Sequence, residues 1–252
     1  MVADPHLKHL IAARAFCDVM MLGRVVSAPV SALPFLAGYF VAATTSKVSD
    51  VLLLSLLGFL YHFFAFVLND IIDLDLDRKN PSRRLDPMIR GVFNPNHVLV
   101  AVLAIIPVSH LLIWLFSPAT LKAHLVLAIS FAGMAIYNIY GKKNVVPPVF
   151  TEGVYATAIS LLCFEGALLS DGSPGQEVTL ISAFLGLQLL LVNGVAGHLK
   201  NLDTDRAAGV YTLPGWLGVK STNGTVESTN AFRAYGMVIQ LCAVGLLAIF
   251  VY

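Results

Sequence analysis

The chain has 252 residues, of which 57% are hydrophobic and only 12% charged, with a mean hydropathy of +0.78. Soluble domains carry about 25% charged residues, so a water-soluble globular protein is excluded. The formal net charge of +1, without a basic stripe interleaved with aromatics, gives no indication of nucleic-acid binding. Cys17, Cys163 and Cys242 are isolated, with no CxxC spacing. They indicate neither a zinc site nor a disulfide framework and read as small apolar fillers.

Met1 to Gly23 carries charges throughout and lacks a central apolar block before a small-residue cleavage site, so no secretory signal is expected. Leu7, Leu10, Ile11 and Met21, with Lys8 and Arg14, predict an interfacial helix instead. Seven apolar segments follow, near the ~20 residues needed to span a hydrocarbon core. They run over Arg24–Thr44, Val51–Leu68, Val98–Phe116, Ala123–Tyr140, Val149–Leu169, Val178–Ala196 and Phe232–Tyr252. The expectation is an all-α, polytopic transmembrane helical bundle of about seven helices, a single membrane-embedded domain over residues 1–252. Of the sixteen Lys and Arg residues, fourteen fall in the N-terminal tail and in the second, fourth and sixth connections, leaving only Lys47 and Lys122 on the opposite side. The positive-inside rule then predicts a cytoplasmic N-terminus and cytoplasmic even-numbered connections, or the equivalent side of an organelle. Asn223-Gly224-Thr225 is formally a glycosylation sequon, but it lies on that side and is expected to be unmodified. Ser221–Asn230 around it reads as a mobile loop, and Ser170–Glu177 as the longest turn on the opposite side.

The second connection opens with Asn69-Asp70-Ile71-Ile72-Asp73-Leu74-Asp75-Leu76-Asp77-Arg78. On a helix Asp70, Asp73 and Asp77 stand at i, i+3 and i+7 and share a face, with Asn69 on its edge. A row of like charges needs a cation. Hard oxygen ligands suit Mg²⁺, which takes one or two carboxylates, keeps waters and accepts phosphate oxygens from a substrate. The plain alternative, a solvated acidic turn at a membrane boundary, is weakened by a second stretch, Gly197-His198-Leu199-Lys200-Asn201-Leu202-Asp203-Thr204-Asp205-Arg206. Laying Asp205-Arg206 on Asp77-Arg78 superposes Asp203 on Asp75, Asn201 on Asp73 and His198 on Asp70, at a constant offset of 128 residues. This weak repeat predicts two halves, with acidic motifs at 69–78 and 197–206, sharing one site.

With both motifs placed, the chain resembles the UbiA superfamily of intramembrane prenyltransferases over nearly its whole length. The resemblance rests on NDxxDxxxD after the second segment (Asn69, Asp70, Asp73, Asp77), on a YxxxGKK turn after the fourth (Tyr137, Gly141, Lys142, Lys143), and on DRAAGVYTLPGWLG after the sixth (Asp205 to Gly218). It implies a UbiA-type bundle of about nine helices, with both acidic motifs facing a central cavity that is capped by cytoplasmic loops and open sideways to lipid. This sequence has two segments fewer, so its final helices are missing or it is a short member.

The activity implied by the resemblance is Mg²⁺-dependent transfer of a prenyl group from a prenyl diphosphate to an aromatic or lipid-like, hydrophobic acceptor within the bilayer. The implied metal ligands are Asp70, Asp73 and Asp77 from one half and Asp205, with Asp203, from the other; His198 joins Asp70, Asp73, Asp77 and Asp205 as a candidate catalytic residue. Candidate diphosphate contacts are Asn69, Arg78, Lys79, Arg84, Lys142, Lys143, Lys200, Asn201 and Arg206, with Arg83 and Arg90 as further cations. Arg78 and Arg206 are favoured because they recur in both repeats; the plain alternative for each cation is a topology anchor or a headgroup contact. Tyr137 and Tyr140 either approach the cavity or belong to the interfacial belt.

Departures from the family pattern matter. His198 and Asn201 stand where the family carries acids, and imidazole is a poor Mg²⁺ ligand. His198 is therefore either a general base for the acceptor proton or a helix-end histidine satisfied by backbone. The family's R-P-L-x-x-G reads Asp86-Pro87-Met88-Ile89-Arg90-Gly91 here, which weakens phosphate binding at Asp86. A terpene cyclase that needs no acceptor, a cation-coupled transporter and a non-catalytic scaffold are the alternatives. The transporter is disfavoured because the acids sit at helix ends on one side and the repeat is parallel.

Overall fold

In the computed structural model, which describes residues 5–80, 83–117, 120–200, 202–222 and 225–251, each of the seven apolar runs is a helix. Helix α1 spans Pro5–Leu22, and a 3₁₀ turn at Val25–Ser27 leads into α2, Ala28–Ala42. Helix α3 is Val48–Ile72, α4 is the single turn Leu74–Asp77, α5 is Pro95–Phe116, α6 is Leu121–Tyr140 and α7 is Pro148–Leu168. Helix α8, Gln176–Leu189, continues through a π-helical stretch, Leu190–Gly197, into the short helices α9, His198–Lys200, and α10, Leu202–Ala207. Then come α11 (Leu213–Trp216), strands β1 (Lys220–Thr222) and β2 (Thr225–Glu227), and α12 (Asn230–Val251).

Backbone polar groups in hydrocarbon have to be satisfied within the segment, so long apolar runs wind into helices. Among the described residues, six helices are long and apolar enough to cross a membrane. The seventh, α7, is as long at 21 residues but carries Glu152 and Glu165, both buried. Pro95 and Pro148 open α5 and α7 at positions where the missing N–H costs nothing, and Asn94 Oδ1 caps α5 by accepting from the Asn96 N–H at 2.9 Å.

Helix α7 lies in the middle, packed against α2, α6 and α8, while α3 joins α2 to α5 and α6 and α12 leans on α8. The α2–α7 contact is backbone on backbone: a Cβ at Gly38 would collide with the Cys163 carbonyl, and one at Gly166 with the Phe35 carbonyl. Small residues allow such approach in membranes, where dispersion and polar contacts replace the hydrophobic drive. Around this seam Phe35, Tyr39, Leu57, Tyr61, Phe64 and Phe131 fill the core. Interhelical hydrogen bonds hold it, with Ser130 Oγ donating to the Ala158 carbonyl at 2.6 Å and Asn138 Nδ2 to the Ala65 carbonyl at 2.9 Å.

At the end away from the acidic motifs, Asp171 accepts hydrogen bonds from the Thr44 N–H at 2.9 Å and from the hydroxyls of Thr44 at 2.7 Å and Thr45 at 2.6 Å. Those bonds hold its carboxyl well below the usual range. Lipid-facing apolar side chains such as Trp114, Met237 and Leu241 cover the outer faces of α5 and α12.

Three expectations need correction or limits. Ser221–Asn230, read as a loop, begins with the hairpin β1–β2, in which Lys220 pairs with Glu227 and Ser221 with Val226. The passed-over cue was an Asn-Gly dipeptide between strand-favouring residues; Asn223 and Gly224, and with them the sequon asparagine, lie outside the described residues. Only Cys163 fills the core, Cys17 and Cys242 being exposed. Helix α1 is present, but the side chains of Leu7, Lys8, Leu10 and Ile11 lie outside the described set. Its far end is pinned by the buried Asp18, which pairs with Arg90.

Replacing Gly166 with leucine is expected to cost about 3 kcal/mol or more through overpacking. Gly236→Ala, where an added Cβ meets nothing within 4 Å, is expected to be neutral. Thermal unfolding of the two detergent-solubilised variants checks the contrast.

Candidate active site

Helix α3 runs past the end of its apolar run and breaks at Asp73, whose backbone leaves helical values at φ −87 and ψ 2. The i→i−4 ladder nevertheless carries across the break, with Asp73 N donating to the Asn69 carbonyl at 2.9 Å and Asp77 N to the Asp73 carbonyl at 2.8 Å. Asp70 and Asp77 thereby stay on one face, and a single guanidinium spans them. Arg83 reaches Asp70 Oδ1 at 2.5 Å and Asp77 Oδ2 at 2.8 Å, with Asp86 at 3.6 Å. Arg24, from the junction of α1 and α2, adds a second 2.5 Å contact to Asp70 Oδ1 and lies 5.0 Å over the Phe66 ring. Asp73 turns the other way and receives Lys142 Nζ at 2.5 Å. Burial opposes the Arg83 charge, but Asp70 and Asp77 outweigh it and hold the guanidinium protonated above its ordinary value.

The loop beyond Asp77 is folded back by its own contacts. Asp86 Oδ1 accepts from the Met88 N–H at 2.9 Å, Met88 inserts into the core, and Gly91 turns the chain with φ 71. Asn144 ties the α6–α7 connection to the stretch after the second motif, donating to the Gly209 carbonyl at 2.7 Å and accepting from the Tyr211 N–H at 2.9 Å. This tie sets Lys142 between the two motifs. Asp205, 8% exposed, feels both Lys142 and Asp73. Burial pushes its carboxyl above the usual range and Asp73 adds to the rise, against the pull of Lys142 and His198.

One turn into α7, Glu152 is 2% exposed and accepts from Asn193 Nδ2 at 2.8 Å, with His198 Nε2 2.7 Å from its other oxygen. Asn193 also donates to the Tyr137 hydroxyl at 2.8 Å, and the Tyr137 ring lies 4.7 Å from that of Tyr155. The two acidic motifs and this polar cluster thus meet at one end of the bundle.

The sequence profile of the UbiA prenyltransferase family matches residues 31–252. The chain belongs to that family. Curated protein sequences yield no match. Solved structures do. A UbiA homologue from Archaeoglobus fulgidus, bound to GPP and Mg²⁺, superposes with a TM-score of 0.72 at 16% identity, covering 92% of this chain and 77% of that one. An apo UbiA homologue from Aeropyrum pernix K1 gives 0.64 at 19% identity, with 90% and 76% covered. Digeranylgeranylglyceryl phosphate synthase gives 0.69 at 17% identity, with 92% and 75% covered. The chain is accordingly an integral, multi-pass membrane protein with the UbiA fold.

Asp70, Asp73, Asp77 and Asp205 offer only oxygen donors, the kind that suits Mg²⁺, and three of them are buried. Among the described residues no three His, Cys, Asp or Glu side chains converge on a common point. An ion that takes one or two carboxylates and fills its octahedron with water and phosphate does not need such a cluster. Other expected members of this UbiA-family site are not brought in. Asp203 is exposed and accepts from Ser221 Oγ at 3.0 Å. Arg78 pairs with Asp75 at 2.8 Å on the surface, and Lys79, Arg84, Lys143, Lys200 and Arg206 are likewise exposed, whereas Asn69 is half-buried at the end of α3. Asn201 lies outside the described residues. Tyr137 faces inward while Tyr140 is exposed. The repeat therefore did not mark the cations that touch the acids: Arg24, Arg83 and Lys142 do. Arg24, Glu152 and Asn193 are not among the site residues expected from the sequence, although an ionisable residue inside a spanning run is itself a pointer to function.

A folded-state pKa raised above the unfolded value means that Asp205 contributes stability below ~pH 3.9 that is lost as pH rises through the raised value. Metal-free Asp205→Asn protein is therefore expected to melt above the wild type at pH 7, and the gap to close on acidification. Thermal unfolding in chelator across the acidic range tests this.

Proposed function

We propose that this UbiA-family chain transfers a prenyl group from a prenyl diphosphate to a hydrophobic acceptor inside the membrane, in a Mg²⁺-dependent reaction. The observation that carries the reading is that Asp73 from one half and Asp205 from the other both feel Lys142, at the same end of the bundle where Arg83 joins Asp70 to Asp77. The Archaeoglobus fulgidus homologue bound to GPP and Mg²⁺ supports the donor and the metal.

Asp70, Asp73, Asp77 and Asp205 would hold the metal. When bound, Mg²⁺ supplies Lewis-acid stabilisation of the charge on the departing diphosphate. Arg24, Arg83 and Lys142 neutralise the carboxylates as they stand; with the acids occupied, the same three cations are placed to bind the diphosphate oxygens. Such preorganised charge acts where negative charge develops as the allylic C–O bond breaks. The ring faces of Tyr137 and Tyr155 offer cation–π stabilisation to the allylic cation, and the prenyl tail lies among apolar helix faces. The lysine and arginine asymmetry supports a cytoplasmic placement of the N-terminus and both motifs.

Inorganic diphosphate release from geranyl, farnesyl and geranylgeranyl diphosphates by the purified protein is expected to require Mg²⁺ and a membrane-lipid extract as acceptor source, and to stop in chelator. Asp73→Ala and Asp205→Ala are each expected to lower it by about 10³-fold while the protein stays folded. Release without extract would assign a cyclase instead. Retained turnover in both variants would sink the metal site.

A further inference from the structure

The donor chemistry leaves Glu152, Asn193 and His198 unused. Their arrangement is a consequence of the π-helical stretch. In an α-helix, residues five apart point about 140° away from each other. A π-helix closes its hydrogen bonds at i→i+5, so residues five apart return to one face. Asn193 and His198 are five apart, the His198 N–H donates to the Asn193 carbonyl, and both side chains reach the same carboxylate on α7. Glu152 Oε2 takes Asn193 and Oε1 takes His198, so the carboxylate is fixed at both oxygens. The histidine ring is largely enclosed, its side chain 13% exposed. Its Nε2 is committed to Glu152, whereas Nδ1 has no hydrogen-bond partner among the described residues. It stands within the second motif, where it pulls on Asp205.

We propose that Glu152 and His198 form a dyad that removes the acceptor's proton during prenyl transfer, with Glu152 orienting the ring through Nε2 so that Nδ1 is the base. The proposal rests on the prenyl-transfer reading and adds its second half. The C1–O bond of the donor breaks with its electron pair on diphosphate. An electron pair of the acceptor, from a hydroxyl or an electron-rich ring carbon, forms the new bond to C1. The proton displaced from that atom passes to His198 Nδ1. The imidazolium so formed donates from Nε2 to the Glu152 carboxylate, which offsets its charge, and the proton later leaves to water. The pattern is that of a base held in one tautomer by a buried carboxylate, and the arrangement needs no metal contact from imidazole. The Asn193 bonds to Glu152 and Tyr137 stop the carboxylate from rotating away.

The test uses the full chain in detergent with geranylgeranyl diphosphate, Mg²⁺ and a membrane-lipid extract. Two quantities are read: prenyl transfer to the extract, and the Kd for the non-reactive thiolodiphosphate analogue of the donor. His198→Ala and Glu152→Gln are expected to lower transfer by about 10²-fold or more, the usual worth of a positioned base, with donor Kd within about twofold. Added imidazole is expected to restore transfer in His198→Ala and to leave the wild type unchanged. Glu152→Asp, which keeps the charge, is expected to retain more transfer than Glu152→Gln and covers the case in which the amide variant does not fold. Unchanged transfer in His198→Ala, absence of imidazole rescue, or donor affinity falling in step with transfer would each overturn the dyad. A wild-type protein that binds no donor analogue with Mg²⁺ would overturn the prenyl-transfer reading itself, which separates the two failures.

Discussion

Moving a carboxylate out of water costs several kcal/mol even after relaxation, and this chain does so at Asp70, Asp73 and Asp205 within one region. Much of the local architecture exists to meet that cost with cations delivered from elsewhere. The loop after α4 curls back, held by Pro87 and Met88 in the interior, so that Arg83 can span Asp70 and Asp77. Arg24 sits in the left-handed region at φ 46, a conformation that costs about 1 kcal/mol for a residue with a Cβ, and from there its guanidinium meets Asp70. The Asn144 tie places Lys142 on Asp73. Asp205 has no ion pair among the described residues, and burial, with Asp73 adding to it, keeps its carboxyl above the usual range.

The scaffold that holds these ends in place is built on close approach rather than bulk. Gly38 and Gly166 let α2 and α7 touch through their backbones, and α7 in turn contacts α6 and α8. A central helix in such a position has its faces occupied by other helices instead of lipid. It can therefore hold Glu152, where a helix facing lipid could not. The same packing explains how α7 holds Glu152, Glu165 and Thr151, all buried within protein.

The bundle was legible in the sequence because lipid imposes a simple rule on composition and length. All seven apolar runs are helices, and the errors lie at their ends. Val51–Leu68 extends to Val48–Ile72 because a helix continues past the last apolar residue when Asn69 and Asp70 can still join its ladder. Val178–Ala196 hides a change of winding at Leu190, where nothing in the apolar pattern departs from an α-helix. In the site, the acids of NDxxDxxxD and Asp205 were visible as motifs. The pairings were not, because an ion pair over 46 residues between Arg24 and Asp70, or 69 between Lys142 and Asp73, leaves no mark on local spacing. The recurrence of Arg78 and Arg206 was sequence similarity without shared contact: Arg78 stays in solvent with Asp75. Asp86 replaces an arginine of the family pattern, yet the charge is supplied three residues earlier, by Arg83.

The departures of the second motif look different once α7 is taken into account. If His198 were drawn toward the metal, its nitrogen would replace a hard oxygen donor with a softer one. The Glu152 carboxylate instead holds Nε2 at 2.7 Å. On the proposed reading, His198 in place of an acid withdraws one candidate ligand from the metal side and joins Glu152, Asn193 and Tyr137 in a polar centre. On that reading the acidic end would handle the strongly charged diphosphate, while the Glu152 carboxylate is enclosed and hydrogen-bonded at both oxygens. Leaving-group chemistry and proton removal make opposite demands on local potential, the first favouring positive charge and the second a neutral base beside a negative group. Separating them onto α3 with its following loop and onto α7 with the π-helical stretch would let both demands be met at one end of the same bundle.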